Sequence, residues 1–139
     1  MESNTEIYER VLEAFNREGM DGVLPYFSDE VEVFDPDLPP GDYRGREGVR
    51  IVTDHLSSGM KDMEVKDFRF FPAGDRVVAL IHTQAKGEDD EIEFELRDAH
   101  TLTFRDGKIV YWRLYLDQAE ALSDAGLDPG LALGGSGED

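Results

Sequence analysis

The stretch EIEFELRDAHTLTF, residues 91–104, alternates in polarity along its length. Ile92, Phe94, Leu96, Leu102 and Phe104 fall on one parity, and Glu91, Glu93, Glu95, Arg97, Thr101 and Thr103 on the other. That period of two belongs to a strand with one buried and one wet face. Asp98 and His100 share the parity of the apolar row, so two ionisable side chains project from the side where only apolar ones are expected. Burying such groups without partners costs on the order of 1–3 kcal/mol each, and more for a bare charge. They therefore pair, meet water or line a cavity. Two readings stay open here: a satisfied polar pair that specifies the core, or a pair that carries chemistry in a pocket.

Outward from this strand, residues 65–71, 76–86 and 108–116 read as three more long strands, separated by the turn sequences PAGD, GEDD and RDG. Connections this short imply antiparallel neighbours and hence a meander. On the last strand Val110, Trp112, Leu114 and Leu116 are expected to face inward, with Tyr111, Arg113, Tyr115 and Asp117 on the outer face. That outer row is rich in aromatic residues for a solvated surface, so it is expected to pack against a second subunit. Within 76–86, Val77, Ala79, Ile81 and Thr83 alternate with Val78, Leu80, His82 and Gln84; both rows begin apolar, which leaves the orientation of His82 open.

Upstream the period is helical. Ile7, Val11, Ala14 and Phe15 share one face of a helix over 5–18, with a capping box from Ser3 and Glu6 and a stop at Gly19. A short helix over 22–27 leads into a strand at 31–35, which Pro36 closes because proline cannot donate to a ladder. After the loop DLPPGDYRG, Val49, Val52 and Leu56 mark a third helix ending near Gly59. Asp117 can cap a last helical turn that Gly126 and Pro129 stop. The organisation expected is one domain over 1–129 and a flexible acidic tail over 130–139. Asp35 ends the apolar row of the first strand, either as the cap of the Asp-Pro turn or as a carboxylate at the rim of an apolar cavity, where desolvation makes it a better base.

Composition narrows the function classes. Thirty-two acidic against fourteen basic residues give a formal charge of −18, which repels phosphate backbones and anionic membrane surfaces, so no nucleic-acid or membrane partner is expected. There is no cysteine, and the histidines at 55, 82 and 100 have no short ligand spacing, so neither a metal nor another cofactor is expected. The amino terminus lacks the basic and apolar regions of a signal peptide, which makes a cytoplasmic location the expectation.

The order of elements, together with Tyr43-Arg44-Gly45, His100 ahead of Phe104-Arg105-Asp106-Gly107-Lys108, and the stretch 115–127, resembles the nuclear transport factor two-like superfamily, and within it the polyketide-cyclase-like (SnoaL-like) branch. The resemblance implies an α+β cone, three helices packed on a strongly curved antiparallel sheet, whose interior accepts a small hydrophobic molecule. Phe15, Tyr26, Val33, Val52, Ile81, Leu102, Trp112 and Leu114 are the residues expected to line it. Ketosteroid isomerase, a member of the superfamily, keeps its general base in an Asp-Pro pair at the end of the first strand, where Asp35-Pro36 stands here. Its donor acid on the long strand corresponds to His100, and its first-helix Tyr falls near Val11, which cannot donate. The last-strand acid of limonene-epoxide hydrolase, another relative, falls on Leu114. The function implied is a cofactor-free acid–base enzyme of isomerase, cyclase, dehydratase or hydrolase type acting on a small hydrophobic carbonyl or polyketide-like compound, with Asp35 abstracting a proton, His100 stabilising the developing oxygen charge and Asp98 orienting it. The alternative is a non-catalytic hydrophobic ligand-binding or dimerisation domain. In either case a homodimer through the outer sheet face is expected.

Overall fold

The computed structural model describes residues 3–89 and 92–133. Glu91, at the start of the strand quoted above, and 134–139 of the expected tail lie outside the described residues. Helix α1 (Asn4–Glu18) begins with the capping box: the Ser3 side chain accepts from the Glu6 backbone N–H, and the Glu6 carboxylate accepts from the Ser3 N–H. Gly19 ends it at φ 70°, a conformation that disfavours a side chain. The second helical segment is α2 (Met20–Val23), followed by a 3-10 turn over Leu24–Tyr26. Strand β1 (Phe27–Phe34) is longer than expected, and a short strand β2 (Asp42–Arg44) lies inside what reads as loop. Helix α3 (Gly45–Leu56) and strands β3 (Met60–Ala73), β4 (Arg76–Gly87), β5 (Glu93–Arg105) and β6 (Lys108–Tyr115) follow. Helix α4 (Gln118–Asp124) starts at Asp117, whose carboxylate accepts from the Ala119 and Glu120 N–H groups.

The six strands form one curled, unclosed sheet in the order β2-β1-β6-β5-β4-β3. The long strands make the expected antiparallel meander, and the first strand joins it by a parallel pairing with β6 that sets Val33 opposite Trp112. Tyr8, Val11 and Leu12 of α1 and Val49 and Val52 of α3 pack with Val31, Val33, Ala79, Ile81, Leu102, Ile109, Trp112 and Leu114 on the concave side. Near the open edge, Asn16 acts as a surrogate strand: its Nδ2 donates to the Val65 carbonyl at 3.0 Å and its Oδ1 accepts from the Val65 N–H at 2.8 Å.

Four expectations about parity are corrected. The outer face of β5 is not wet throughout, because α4 lies across it and buries Val78, Leu80, Ala99, Tyr115, Ala121 and Leu122 in a second core. This two-sided cover explains why both rows of β4 begin apolar, and it puts His82 in the outer row, where its Nε2 lies 3.0 Å from Glu95 Oε1. On β6, Thr103 pairs with Tyr111 and Phe104 with Ile109, so Val110 is a bulged extra residue and Ile109, not Val110, is the fully buried one. Leu116 lies just past the end of β6 and is 56% exposed, and Ile92, ahead of β5, is 53% exposed, since no helix covers either position. Beyond α4 the chain closes with a 3-10 turn over Pro129–Ala132; Arg69 donates to the Ala132 carbonyl at 3.2 Å, and Leu131 and Ala132 pack on the outer core.

Candidate functional site

Between α1, α3 and the concave sheet face lies a cavity of about 180 Å³. Its wall is largely apolar: Val11, Leu12, Val23, Phe27, Val49 and Ile81 are buried, and Phe15, Met20, Leu56, Met63, Val65 and Leu96 are half-buried. At the buried end stand Tyr8, Asp98, His100 and Trp112; at the other, Thr53, Ser57 and the exposed Asp54. No Lys or Arg contributes to the wall.

The polar end follows from strand parity. Positions 98 and 100 are i and i+2 on β5, so both side chains point into the cone, and His100 Nε2 comes within 3.5 Å of Asp98 Oδ2. Their side chains are 7% and 13% exposed for Asp98 and His100 respectively, so this pair is largely withdrawn from water. On the opposite side of the imidazole, the Tyr8 hydroxyl of α1 lies 2.8 Å from Nδ1. The carboxylate beside Nε2 favours the N–H at that nitrogen, which makes Nδ1 the acceptor and Tyr8 the donor. Burial pushes the Tyr8 hydroxyl far above its usual range, a nearby Trp112 indole N–H opposes the rise, and the Asp98 charge adds to it. Trp112 Nε1 nevertheless makes no hydrogen bond of ordinary geometry, and its ring stacks edge-on to His100 at 4.9 Å between centroids. The outcome is a neutral tyrosine, an imidazole and a carboxylate in a row against apolar space.

Of the residues expected at the site, the fold brings Asp98, His100, Trp112, Phe15 and Ile81 to this cavity. Val33, Val52, Leu102 and Leu114 point the right way but are packed solid in the core behind it, each 3% exposed or less. Tyr26 lies at the edge of that core, with the Arg10 guanidinium 5.8 Å from its ring centre. Asp35 is not in the wall. It is 2% exposed and spent on its own turn: Oδ1 accepts from the Asp37 N–H at 3.0 Å, its carbonyl from Leu38, and its N–H donates to Gly41. The Asx-Pro reading describes that geometry, and Asp35 and His100 do not face each other across the cavity.

Tyr8 lines the cavity beside His100 and is absent from the residues expected there. The comparison position on the first helix was Val11, but Tyr8 is one turn earlier on the same face, as the spacing Tyr8–Leu12–Phe15 indicates. Centring the apolar stripe on Ile7 hid it.

On the convex face, a shallow groove runs between Glu32, Phe34, Asp42, Tyr43, Arg44, Tyr111 and Arg113. The Arg113 guanidinium lies 4.8 Å from the Phe34 ring centre and 4.2 Å from that of Tyr115, and its buried Nε has no hydrogen-bond partner. The Tyr115 hydroxyl donates to Asp124 at 2.9 Å, and burial together with that bond pushes it up to about 12.

Solved structures share this architecture. An NTF2-like protein of unknown function from Burkholderia pseudomallei is 24% identical, with 88% of this chain and 97% of that one aligned at a TM-score of 0.69. TerC, co-crystallised with polyporic acid, is 21% identical over 88% and 98% of the two chains at 0.68. A protein with a ketosteroid isomerase-like fold from Catenulispora acidiphila, in complex with trimethylamine, is 18% identical over 91% and 97% at 0.66. At these identities the likeness concerns the fold. No protein of curated function matches the sequence. No helix among the described residues is long and apolar enough to cross a membrane. A family model for the SnoaL-like domain matches residues 8–112, from the buried tyrosine of α1 to the tryptophan of β6, and on that match the chain belongs to the SnoaL-like family.

Proposed function

We propose that the cavity is a cofactor-free acid–base site acting on a small hydrophobic carbonyl or polyketide-like compound, in a reaction of isomerase, cyclase, dehydratase or hydrolase type. The observation that carries this reading is the row Tyr8–His100–Asp98 at the closed end of an apolar cavity. In the first step His100 Nδ1 takes a proton from the carbon beside the carbonyl, breaking that C–H bond and forming an N–H. The Tyr8 hydroxyl, released from Nδ1, donates to the oxygen on which negative charge develops. Asp98 holds the Nε2–H tautomer and faces the imidazolium that forms. Because burial keeps Tyr8 protonated, it acts as a hydrogen-bond donor throughout.

The test is deuterium uptake. With α-tetralone in D₂O, the protein should accelerate exchange of the protons beside the carbonyl, followed by NMR, and His100→Asn should lower that rate by about 10²- to 10⁴-fold. A bound ketone that exchanges no faster than in buffer would refute the mechanism.

The pairing of Asp98 with His100 and the use of Asp35 in its own turn favour a second reading, a non-catalytic hydrophobic ligand-binding domain. Saturable binding without exchange would select it. Helix α4 of the same chain covers Tyr115 of the outer row, and what supports pairing of two chains is the remainder of the convex face around Phe34, Tyr111 and Arg113. A monomeric mass by light scattering at micromolar concentration would overturn that pairing.

A further inference from the structure

We infer that the ligand of this cavity carries no negative charge and is no larger than one ring or two fused rings, its polar end turned to His100 and Asp98. This rests on the cavity being a small-molecule site, not on its chemistry. The first argument is volume. An apolar protein cavity of about 150 Å³ takes benzene, whereas sites for drug-sized ligands run to about 300–1,000 Å³. At about 180 Å³ this one holds a single ring with a short substituent, and a second fused ring only by using the open end. The deep part of the wall is well buried, with Val23, Phe27 and Ile81 each 6% exposed or less, while Phe15 and Met20 are half-buried. Interiors packed in this way do not swell to admit two further rings without breaking contacts.

The second argument is charge. The ionisable groups of the wall are Asp54, Asp98, His100 and Tyr8, with no Lys or Arg, and the whole chain carries a formal charge of −18. An anion entering would leave water for a chamber that already holds a buried carboxylate. The polar atoms at the closed end instead suit a neutral group that exchanges hydrogen bonds, such as a carbonyl or a hydroxyl.

Trp112 is the only tryptophan, so its indole N–H gives a single resonance at the closed end of the cavity. We would titrate the ¹⁵N-labelled chain with acetophenone, α-tetralone, fluorenone and a tetracyclic steroid ketone, and separately with benzoate. Acetophenone and α-tetralone should shift that resonance saturably. Fluorenone and the steroid should bind at least tenfold more weakly than α-tetralone, although their larger apolar surface would strengthen binding in an unrestricted pocket. Benzoate, nearly isosteric with acetophenone, should also bind at least tenfold more weakly. Phe15→Ala, or Met20→Ala if the first variant fails to fold, should restore fluorenone binding by widening the wall. Equal or tighter binding of fluorenone, the steroid or benzoate to the unaltered protein would overturn the inference, as would the absence of any shift with the two small ketones. Loss of deuterium exchange with the size and charge order intact would refute the acid–base mechanism alone.

Discussion

Replacing Tyr8 by Phe removes one oxygen and leaves nearly all of the ring's packing, including its edge contact with Phe70 at 6.2 Å between centroids. What disappears is the 2.8 Å bond to His100 Nδ1. A hydrogen bond of this kind contributes about 0.5–1.5 kcal/mol net, and a buried acceptor left alone costs about 1–3 kcal/mol. The imidazole borders the cavity and is 13% exposed, so water entering there relieves part of that second cost. The expected loss is therefore about 1–2 kcal/mol, a fall in urea midpoint of roughly 0.5–1 M for a chain of this size. Deuterium exchange into α-tetralone should fall by about 10²-fold or more, because no hydroxyl remains to meet the developing oxygen charge. Affinity for acetophenone should change little. The decisive assay is the double-mutant cycle with His100→Asn in both stability and exchange, which should give a coupling of about 0.5–2 kcal/mol. Additive effects of the two substitutions would refute the row as a functional unit.

Three further outcomes follow from the same structure. Tyr115 is pushed up to about 12 from an ordinary value near 10, chiefly by burial, and Tyr8 is raised further; both native hydroxyls hold their protons longer than the unfolded chain does, so the stability these two contribute should be constant below pH 10 and be lost as pH rises from 10 through 12. Absorbance titration at alkaline pH checks this: all five tyrosines of the folded protein ionising together near 10 would contradict it. Leu122→Ala empties part of the outer core, where Leu122 is fully buried, and should lower stability by about 2–4 kcal/mol in chemical denaturation while leaving ketone affinity unchanged; a neutral substitution would mean that α4 does not bear on the sheet. Asp35→Asn keeps an oxygen that can accept from the Asp37 N–H, so the turn and the exchange rate should both survive, and abolished exchange in a folded variant would return the role of base to Asp35.

The architecture was legible because its signals are local. The capping box at Ser3, the alternation along β5 and the Asp106-Gly107 hairpin turn each specify backbone geometry within a few residues, and together they determine the helix, the strand and their connection. Asp98 and His100 were legible for the same reason, since two polar residues on an apolar parity are an anomaly visible in fourteen letters. Their partner was not. Tyr8 meets His100 across 92 positions of chain, and nothing in a helical period says which residue of the stripe will reach the sheet. Two-sided burial also defeats parity: where α4 covers the back of β4 and β5, Ala99 and Thr101 are as hidden as Leu102, and no outward row remains to be read. Asp35 was ambiguous because one dipeptide suits both a turn and a base, and only its bond to Asp37 separates the two.

The bulge in β6 has an effect well beyond the hairpin that contains it. Paired regularly from the turn onward, β6 would set Val110 opposite Thr103 and Tyr111 opposite Leu102, so that Trp112 pointed outward and the Arg113 guanidinium pointed into the cone. One supernumerary residue reverses that assignment and presents an indole to the cavity in place of a permanent cation. The electrical character of the chamber is thus decided at Val110, a side chain that takes no part in its wall.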